Sequence, residues 1–172
     1  MTMNRFKIYL LASFTFLLFS MFTCHDYYPI DRDETHHAII RIDNQTGKSV
    51  YAGFSQYSPD SIMEYEEDLR YHYLNGVAPW STSAGAVAYG YWEDYLTKHD
   101  SVWVYVLDAF LYDRQRMKNP SVILQSYRVS LPELNAFGWT LAFPPVEVMK
   151  GMTMRPTYNE VQELLNTQQE TK

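Results

Sequence analysis

Short apolar runs alternate with turn-forming polar segments along most of the chain, which is the pattern of a mainly β protein. Residues 38–43 (AIIRID) and 49–55 (SVYAGFS) flank a turn that contains Asn and Gly, so the sequence predicts a β-hairpin. Residues 101–109 (SVWVYVLDA) are β-branched or aromatic almost throughout, which indicates a central strand buried on both faces. Residues 122–130 (VILQSYRVS) and 139–143 (WTLAF) predict two further strands.

Helical patterns are short by comparison. Ser130 is followed three residues later by Glu133, the spacing of a capping box, and this predicts a short helix. Thr157 and Glu160 repeat that spacing before a narrow apolar stripe near the end of the chain. With one more strand expected within residues 77–91, we predict a mainly β fold. The expected architecture is a β-sandwich or related antiparallel sheet of about six strands, with short helices and a C-terminal helix.

The first part of the chain has a different pattern. Arg5 and Lys7 are the only charges before an uncharged, apolar run at residues 8–22. A basic start followed by such a run is typical of a secretory signal. The run is shorter than the roughly 20 apolar residues that a membrane-spanning helix needs, so we favour a signal over an uncleaved anchor.

Cys24 is the only cysteine in the sequence, and it lies where the apolar run ends and charged residues begin. This is the position of the lipidated cysteine in a bacterial lipoprotein signal. The preceding residues, Met21-Phe22-Thr23, depart from the usual Leu at the third place before the cysteine and from the usual Gly, Ala or Ser just before it. We predict lipidation of Cys24, which would hold the protein firmly on a membrane through several acyl chains. The alternative is a lone thiol at the end of an ordinary signal or anchor.

These features divide the chain into four segments. We predict a signal peptide at residues 1–23, a lipidated tether at 24–37, a β-rich domain at 38–145 and a C-terminal extension with a short helix at 146–172. The tether is polar, contains Pro29 and has no apolar periodicity, which is typical of a spacer. The partner implied by Cys24 is a membrane, reached through the attached lipid.

The charge balance excludes one class of partner. The sequence has 14 basic and 20 acidic residues. Removing Arg5 and Lys7 with the signal leaves 12 basic against 20 acidic residues, a formal charge of −8. An acidic surface repels nucleic acid, so no nucleic-acid partner is expected.

Candidate metal-binding and catalytic residues are sparse. His36 and His37 follow Asp33 and Glu34, but adjacent residues on an extended chain point in opposite directions, so we interpret them as part of a solvated tether. His72 and His99 each stand alone in the sequence. No metal site and no cofactor are therefore predicted.

An acidic segment supplies the carboxylates that a hydrolase would need. Paired carboxylates serve glycosidases only at a suitable separation in space, which neighbours in sequence do not guarantee. No nucleophile-elbow, P-loop or dinucleotide-binding motif is present. We predict no catalytic residues and no enzyme activity, and keep an acid-dependent hydrolase as a remote alternative. The acidic residues concerned are Glu64, Glu66, Glu67 and Asp68.

Tyrosine and tryptophan are concentrated between residues 65 and 95. Exposed rings of this kind can stack on sugars, whereas buried ones fill the core, and we favour the core. The candidate ligand-binding aromatics are Trp80, Tyr89, Tyr91 and Trp92. The whole set is Tyr65, Tyr71, Tyr73, Trp80, Tyr89, Tyr91, Trp92 and Tyr95.

The segment VILQSYRVSLPELNAFGWTLAFPP at residues 122–145 resembles the closing motif of a family of small, uncharacterised envelope lipoproteins of Bacteroidetes. Val129 and Phe143 stand where that pattern usually has Leu and Tyr, and Gln125-Ser126 stands where a basic pair is usual. The positions that match are Tyr57, Pro59, Asp60, Trp92, Asp108, Tyr127, Leu134, Trp139, Thr140 and Pro144.

The resemblance implies an envelope lipoprotein with no known activity. We expect a location in the cell envelope, lipid-anchored to the outer membrane on its periplasmic face or at the cell surface. The expected function is a non-catalytic structural or interaction role with an unidentified glycan or protein partner. The alternative is a surface glycan- or peptide-binding module that uses exposed Tyr and Trp residues.

Overall fold

The computed structural model describes residues 35–65, 74–88 and 90–170, with side chains described through Thr167. The predicted signal peptide, Cys24 and the predicted tether up to residue 34 lie outside these residues. The first four described residues, 35–38, precede the first strand.

Eight strands and four α-helices make up the described part of the chain. The strands are β1 (Ile39–Asn44), β2 (Val50–Ser55), β3 (Asn75–Val77), β4 (Ser81–Val87), β5 (Val102–Asp108), β6 (Ile123–Val129), β7 (Thr140–Phe143) and β8 (Met154–Arg155). The helices are α1 (Trp92–His99), α2 (Ala109–Gln115), α3 (Leu131–Ala136) and α4 (Tyr158–Glu170).

The strands form two sheets. The small sheet has the order β4-β1-β7 and the large sheet has the order β3-β2-β5-β6-β8. All pairs are antiparallel except β1 with β7, which run parallel. The predicted mainly β class with short helices and a C-terminal helix is confirmed. The strand count exceeds the expected six because β3 and β8 are too short to leave a clear alternation in the sequence.

The predicted hairpin of β1 and β2 is wrong, because the two strands belong to different sheets. β1 pairs with β4 and β7, whereas β2 pairs with β3 and β5. Buried residues of both strands, among them Ile42 and Phe54, contribute to the same core cluster. The turn therefore carries the chain from one sheet to the other instead of returning it along the same sheet.

Strand β5 is central and buried on both faces, as predicted. Val104 and Val106 contribute to the main core, which also takes residues from the small sheet. Tyr105 and Leu107 on the opposite face pack in a second cluster with Ile62 and other residues. This second cluster explains why the strand shows no polar alternation, since neither face meets water.

A buried tyrosine links the two sheets. The Tyr127 hydroxyl on β6 donates a hydrogen bond to the Ala142 carbonyl on β7 at 2.7 Å. Burial raises the pKa of Tyr127 well above its ordinary value, so the hydroxyl stays a neutral donor. The bond satisfies the Tyr127 hydroxyl, which would destabilise the fold if it were buried in the core without a hydrogen-bond partner.

The C-terminal extension docks on the domain. β8 pairs with Ser126 and Tyr127 within β6, and Met149, Met152 and Met154 belong to the main core. The capping box predicted for the last helix is present, because Glu160 accepts hydrogen bonds from both the backbone and the side chain of Thr157 at 2.7 Å. These two bonds hold the pKa of Glu160 below its ordinary value.

Candidate functional site

The most exposed aromatic candidate lies in the connection between β3 and β4. The side chain of Trp80 is 74% exposed, and its backbone has a φ of 53°. This left-handed conformation costs a residue other than glycine roughly 1–2 kcal/mol. Such an exposed, strained residue persists only where its surroundings fix it, and for that reason it is a functional candidate.

Asn44 at the end of β1 fixes this connection, which we term the Trp80 turn (residues 78–81). Asn44 is fully buried, and its Nδ2 donates to the carbonyls of Ala78 at 3.0 Å and Lys48 at 2.8 Å. Its Oδ1 accepts from the Thr46 backbone N–H at 3.1 Å and hydroxyl at 2.8 Å. The Trp80 N–H in turn donates to the Thr46 carbonyl at 3.2 Å. One amide side chain thus ties the β1–β2 connection to the Trp80 turn.

The other aromatic candidates do not join Trp80 at a common surface. Trp92 is fully buried, with its ring centroid 4.6 Å from that of Phe54, so the expectation that it contacts a ligand is corrected. Tyr91 is half-buried and meets the His36 ring edge-on at 5.0 Å. Tyr89 lies outside the described residues. Trp92 is the first residue of α1 and belongs to the main core cluster, as the core interpretation predicts.

Two further tyrosines form an exposed pair. Tyr65 stacks on Tyr57 with ring centroids 3.9 Å apart and an angle of 2° between the planes. Each ring covers one face of the other, so the pair does not present a flat, two-ring platform. Tyr71 and Tyr73 lie outside the described residues.

His37 is part of the folded domain, which corrects its interpretation as solvated tether. Its Nδ1 lies 2.7 Å from Glu93 Oε1, and its backbone N–H donates to both Glu93 oxygens at 3.1 and 3.0 Å. Its ring stacks on Trp139 with centroids 4.0 Å apart and an interplanar angle of 9°. We refer to these contacts of His37, Glu93 and Trp139 as the His37 clamp. The clamp fixes the point where the chain enters the domain.

The described part of the chain includes only some of the candidate metal-ligating and acidic residues. Residues 35–65, 74–88 and 90–170 contain no group of three or more His, Cys, Asp or Glu side chains placed to hold a metal ion. Glu64 is exposed to solvent. Asp33, Glu34, Glu66, Glu67, Asp68 and His72 lie outside the described residues.

A polar cup that the sequence did not indicate lies at the end of the large sheet where β2 and β6 finish and β5 begins. Its lining consists of Gln56, His99, Ser101, Trp103 and Arg128, around a volume of about 300 Å³. Trp103 and Arg128 are direct partners across β5 and β6, so both side chains lie on the same face of the sheet. We refer to this site as the Arg128 cup.

Hydrogen bonds order several side chains of the Arg128 cup. Arg128 Nε donates to Ser101 Oγ at 2.9 Å. Gln56 Nε2 donates to the Tyr95 hydroxyl at 2.9 Å and lies 3.3 Å from His99 Nδ1. These residues come from two strands, α1 and two connections, so only the strand register could have indicated the site.

Comparison with known protein families, with curated proteins and with solved structures finds no match for this chain. The resemblance to envelope lipoproteins stays a prediction from the sequence. Within the described residues, no helix is both long enough and apolar enough to cross a membrane. Function is therefore inferred from the residues and geometry of the chain itself.

Proposed function

We propose that this protein is a lipid-anchored protein of the cell envelope with a non-catalytic interaction role. Cys24 would carry the lipid, and the following segment would connect the lipid to the folded domain. The proposal rests on the signal-like start of the sequence, the position of its single cysteine and the His37 clamp.

The His37 clamp is the structural observation that carries the proposal. It holds the chain at the start of the domain through a carboxylate and a stacked indole, which suits a point where a tether pulls on the fold. Cys24 precedes His37 by 37 − 24 = 13 residues. A chain of that length spans at most about 45 Å when fully extended, which limits the distance between membrane and domain.

The clamp and the Trp80 turn lie at opposite ends of β1. His37 precedes the strand, whereas Trp80 is bonded to Thr46, just after the strand ends. A strand of this length separates its ends by about 20 Å. The Trp80 turn would therefore face away from the tether, where a partner in the envelope can reach it.

Mass analysis of the wild-type protein and Cys24→Ser from membranes of a bacterial host tests the anchor. We expect acyl mass on wild type, and loss of both acyl mass and membrane association in Cys24→Ser. Trp80→Ala is the control and should be acylated like wild type. Wild type without acyl mass, or equal membrane association of Cys24→Ser, would contradict the proposal.

The second candidate function is a surface glycan- or peptide-binding module, and the exposure of Trp80 is the observation that favours it. Titration of the full chain in detergent with neutral oligosaccharides and with peptides, followed by tryptophan fluorescence, tests this role. We expect a saturable change that Trp80→Ala removes and His36→Ala retains. Equal binding by Trp80→Ala would exclude the Trp80 turn as the contact.

A further inference from the structure

We propose that the Arg128 cup binds the carboxylate and ring of a hexuronic acid residue, as found at the end of an acidic glycan. This site is separate from the Trp80 turn, and the inference does not depend on the lipid anchor. It follows from the charge, the hydrogen-bonding groups and the size of the cup.

The charge of the lining favours an anion. Arg128 is exposed, and in the described part of the chain its side chain bonds to the neutral Ser101 hydroxyl and to no carboxylate. Among the described residues, no acidic side chain lines the cup, although the protein as a whole has a formal charge of −6. The Arg128 guanidinium bonds Ser101 through its Nε–H. The N–H groups of its two terminal nitrogens can therefore bind a carboxylate in the bidentate manner that arginine favours.

The remaining lining suits a sugar better than an apolar acid. Trp103 lies directly beside Arg128 on the same sheet face and is only partly buried. The face of an indole is electronegative and packs well against the weakly positive C–H groups of a sugar ring. The other lining groups are the Gln56 amide, the Ser101 hydroxyl and the His99 imidazole, which can bond ring hydroxyls. An aromatic or aliphatic acid has no hydroxyl groups to bond the acceptor and donor atoms that these side chains still have available.

The size of the cup limits the ligand. A volume of about 300 Å³ is at the small end of the range for small-molecule sites. One sugar unit fits such a site, whereas the further units of a longer glycan would have to lie outside the rim of the cup. The ligand is therefore a single uronic acid residue, free or at the end of a glycan.

A matched pair of sugars tests the proposal. Methyl β-D-glucuronide and methyl β-D-glucoside differ only at C6, which is a carboxylate in the first and a hydroxymethyl group in the second, and each is titrated into the full chain in detergent. Binding is followed by nitrogen-15 NMR of the Trp103 indole N–H and of the backbone around Ser101 and Arg128. We expect a dissociation constant of about 1 mM for the glucuronide and at least tenfold weaker binding of the glucoside, because the charge-assisted bonds are lost.

Substitutions at exposed residues assign the effect to the cup. Arg128→Gln should weaken glucuronide binding at least about tenfold and leave the glucoside unchanged, and Gln56→Ala should weaken both sugars. Arg155→Gln removes the same charge from the neighbouring strand β8 and is the control variant. It should bind the glucuronide as wild type does.

Several results would overturn the proposal. These are equal affinity for both sugars, displacement of the glucuronide by acetate at the same concentration, and no shift at Trp103 up to about 10 mM ligand. Displacement by acetate would define a plain anion site. Loss of glucuronide binding in Trp80→Ala but not in Arg128→Gln would assign the sugar to the Trp80 turn.

Discussion

Two tryptophans at opposite ends of β1 share an unusual backbone conformation but have contrasting surroundings. Trp80 has a φ of 53° and Trp139 a φ of 60°, both in the left-handed region. Trp139 is only 4% exposed, whereas Trp80 is 74% exposed. Both residues bear the same backbone cost, but only Trp139 offsets it by burying its own side chain.

The contacts of the two residues explain this contrast. The Trp139 ring stacks on His37, its Nε1 donates to Asn135 Oδ1 at 3.2 Å, and its carbonyl accepts from the Arg41 N–H at 2.8 Å. Trp80 is fixed through its backbone and through Asn44, which contacts the turn and not the indole. The Trp139 side chain therefore stabilises the fold. The Trp80 side chain contributes little to stability, although hydrogen bonds hold the backbone of its turn.

Replacing each tryptophan with alanine should give the largest difference. Trp139→Ala removes a buried aromatic side chain and should lower the free energy of unfolding by about 3–5 kcal/mol. Trp80→Ala should change it by no more than about 0.5 kcal/mol. Urea denaturation followed by circular dichroism measures both values. Similar losses in the two variants would contradict the comparison.

Asn44→Ala should have the next largest effect, because it removes a fully buried amide that donates to the part-buried carbonyls of Ala78 and Lys48 and accepts two bonds from Thr46. We expect a loss of about 2–4 kcal/mol in the free energy of unfolding. The neighbouring Gln45 is exposed, and Gln45→Ala is the control, with an expected change below about 0.5 kcal/mol. If Asn44→Ala matched this control, Asn44 would not be the residue that fixes the Trp80 turn.

His37→Ala tests the other end of β1. The substitution removes the side-chain contact with Glu93 and the stack on Trp139 but keeps the backbone bonds to Glu93, and should cost about 1–2 kcal/mol of unfolding free energy. His36→Ala is the matched control, since His36 is an exposed neighbour. A loss in His36→Ala as large as that in His37→Ala would show that the clamp does not depend on His37.

Glycine at the two tryptophan positions should give the smallest but most specific signal. Glycine adopts the left-handed region without strain, so Trp80→Gly should be more stable than Trp80→Ala by about 0.5–1 kcal/mol. Trp139→Gly should remain strongly destabilised, because relief of strain does not restore the lost burial. The same denaturation experiment measures both variants, and a Trp80→Gly protein less stable than Trp80→Ala would argue against strain at this turn.

The local pattern of apolar and polar residues predicted the structure correctly where both faces of a segment have the same environment. The run at residues 101–109 has apolar side chains on both faces and became the central strand β5, buried on both faces. Both predicted capping boxes formed, at Ser130 and at Thr157, because each depends on residues three apart in the chain. The hairpin prediction failed because a turn sequence does not specify whether the next strand pairs with the previous one or joins the facing sheet.

The sequence by itself determined the mainly β class, the central strand, the starts of α3 and α4 and the existence of an aromatic-rich segment, since these follow from periodicity and short-range hydrogen bonds. Tertiary structure alone decided that Trp92 is buried and Trp80 exposed, although both lie in that segment. It also brought Gln56 and Arg128 into one cup across 128 − 56 = 72 residues of chain. Burial and long-range contact depend on how the sheets pack, and no local pattern encodes that packing.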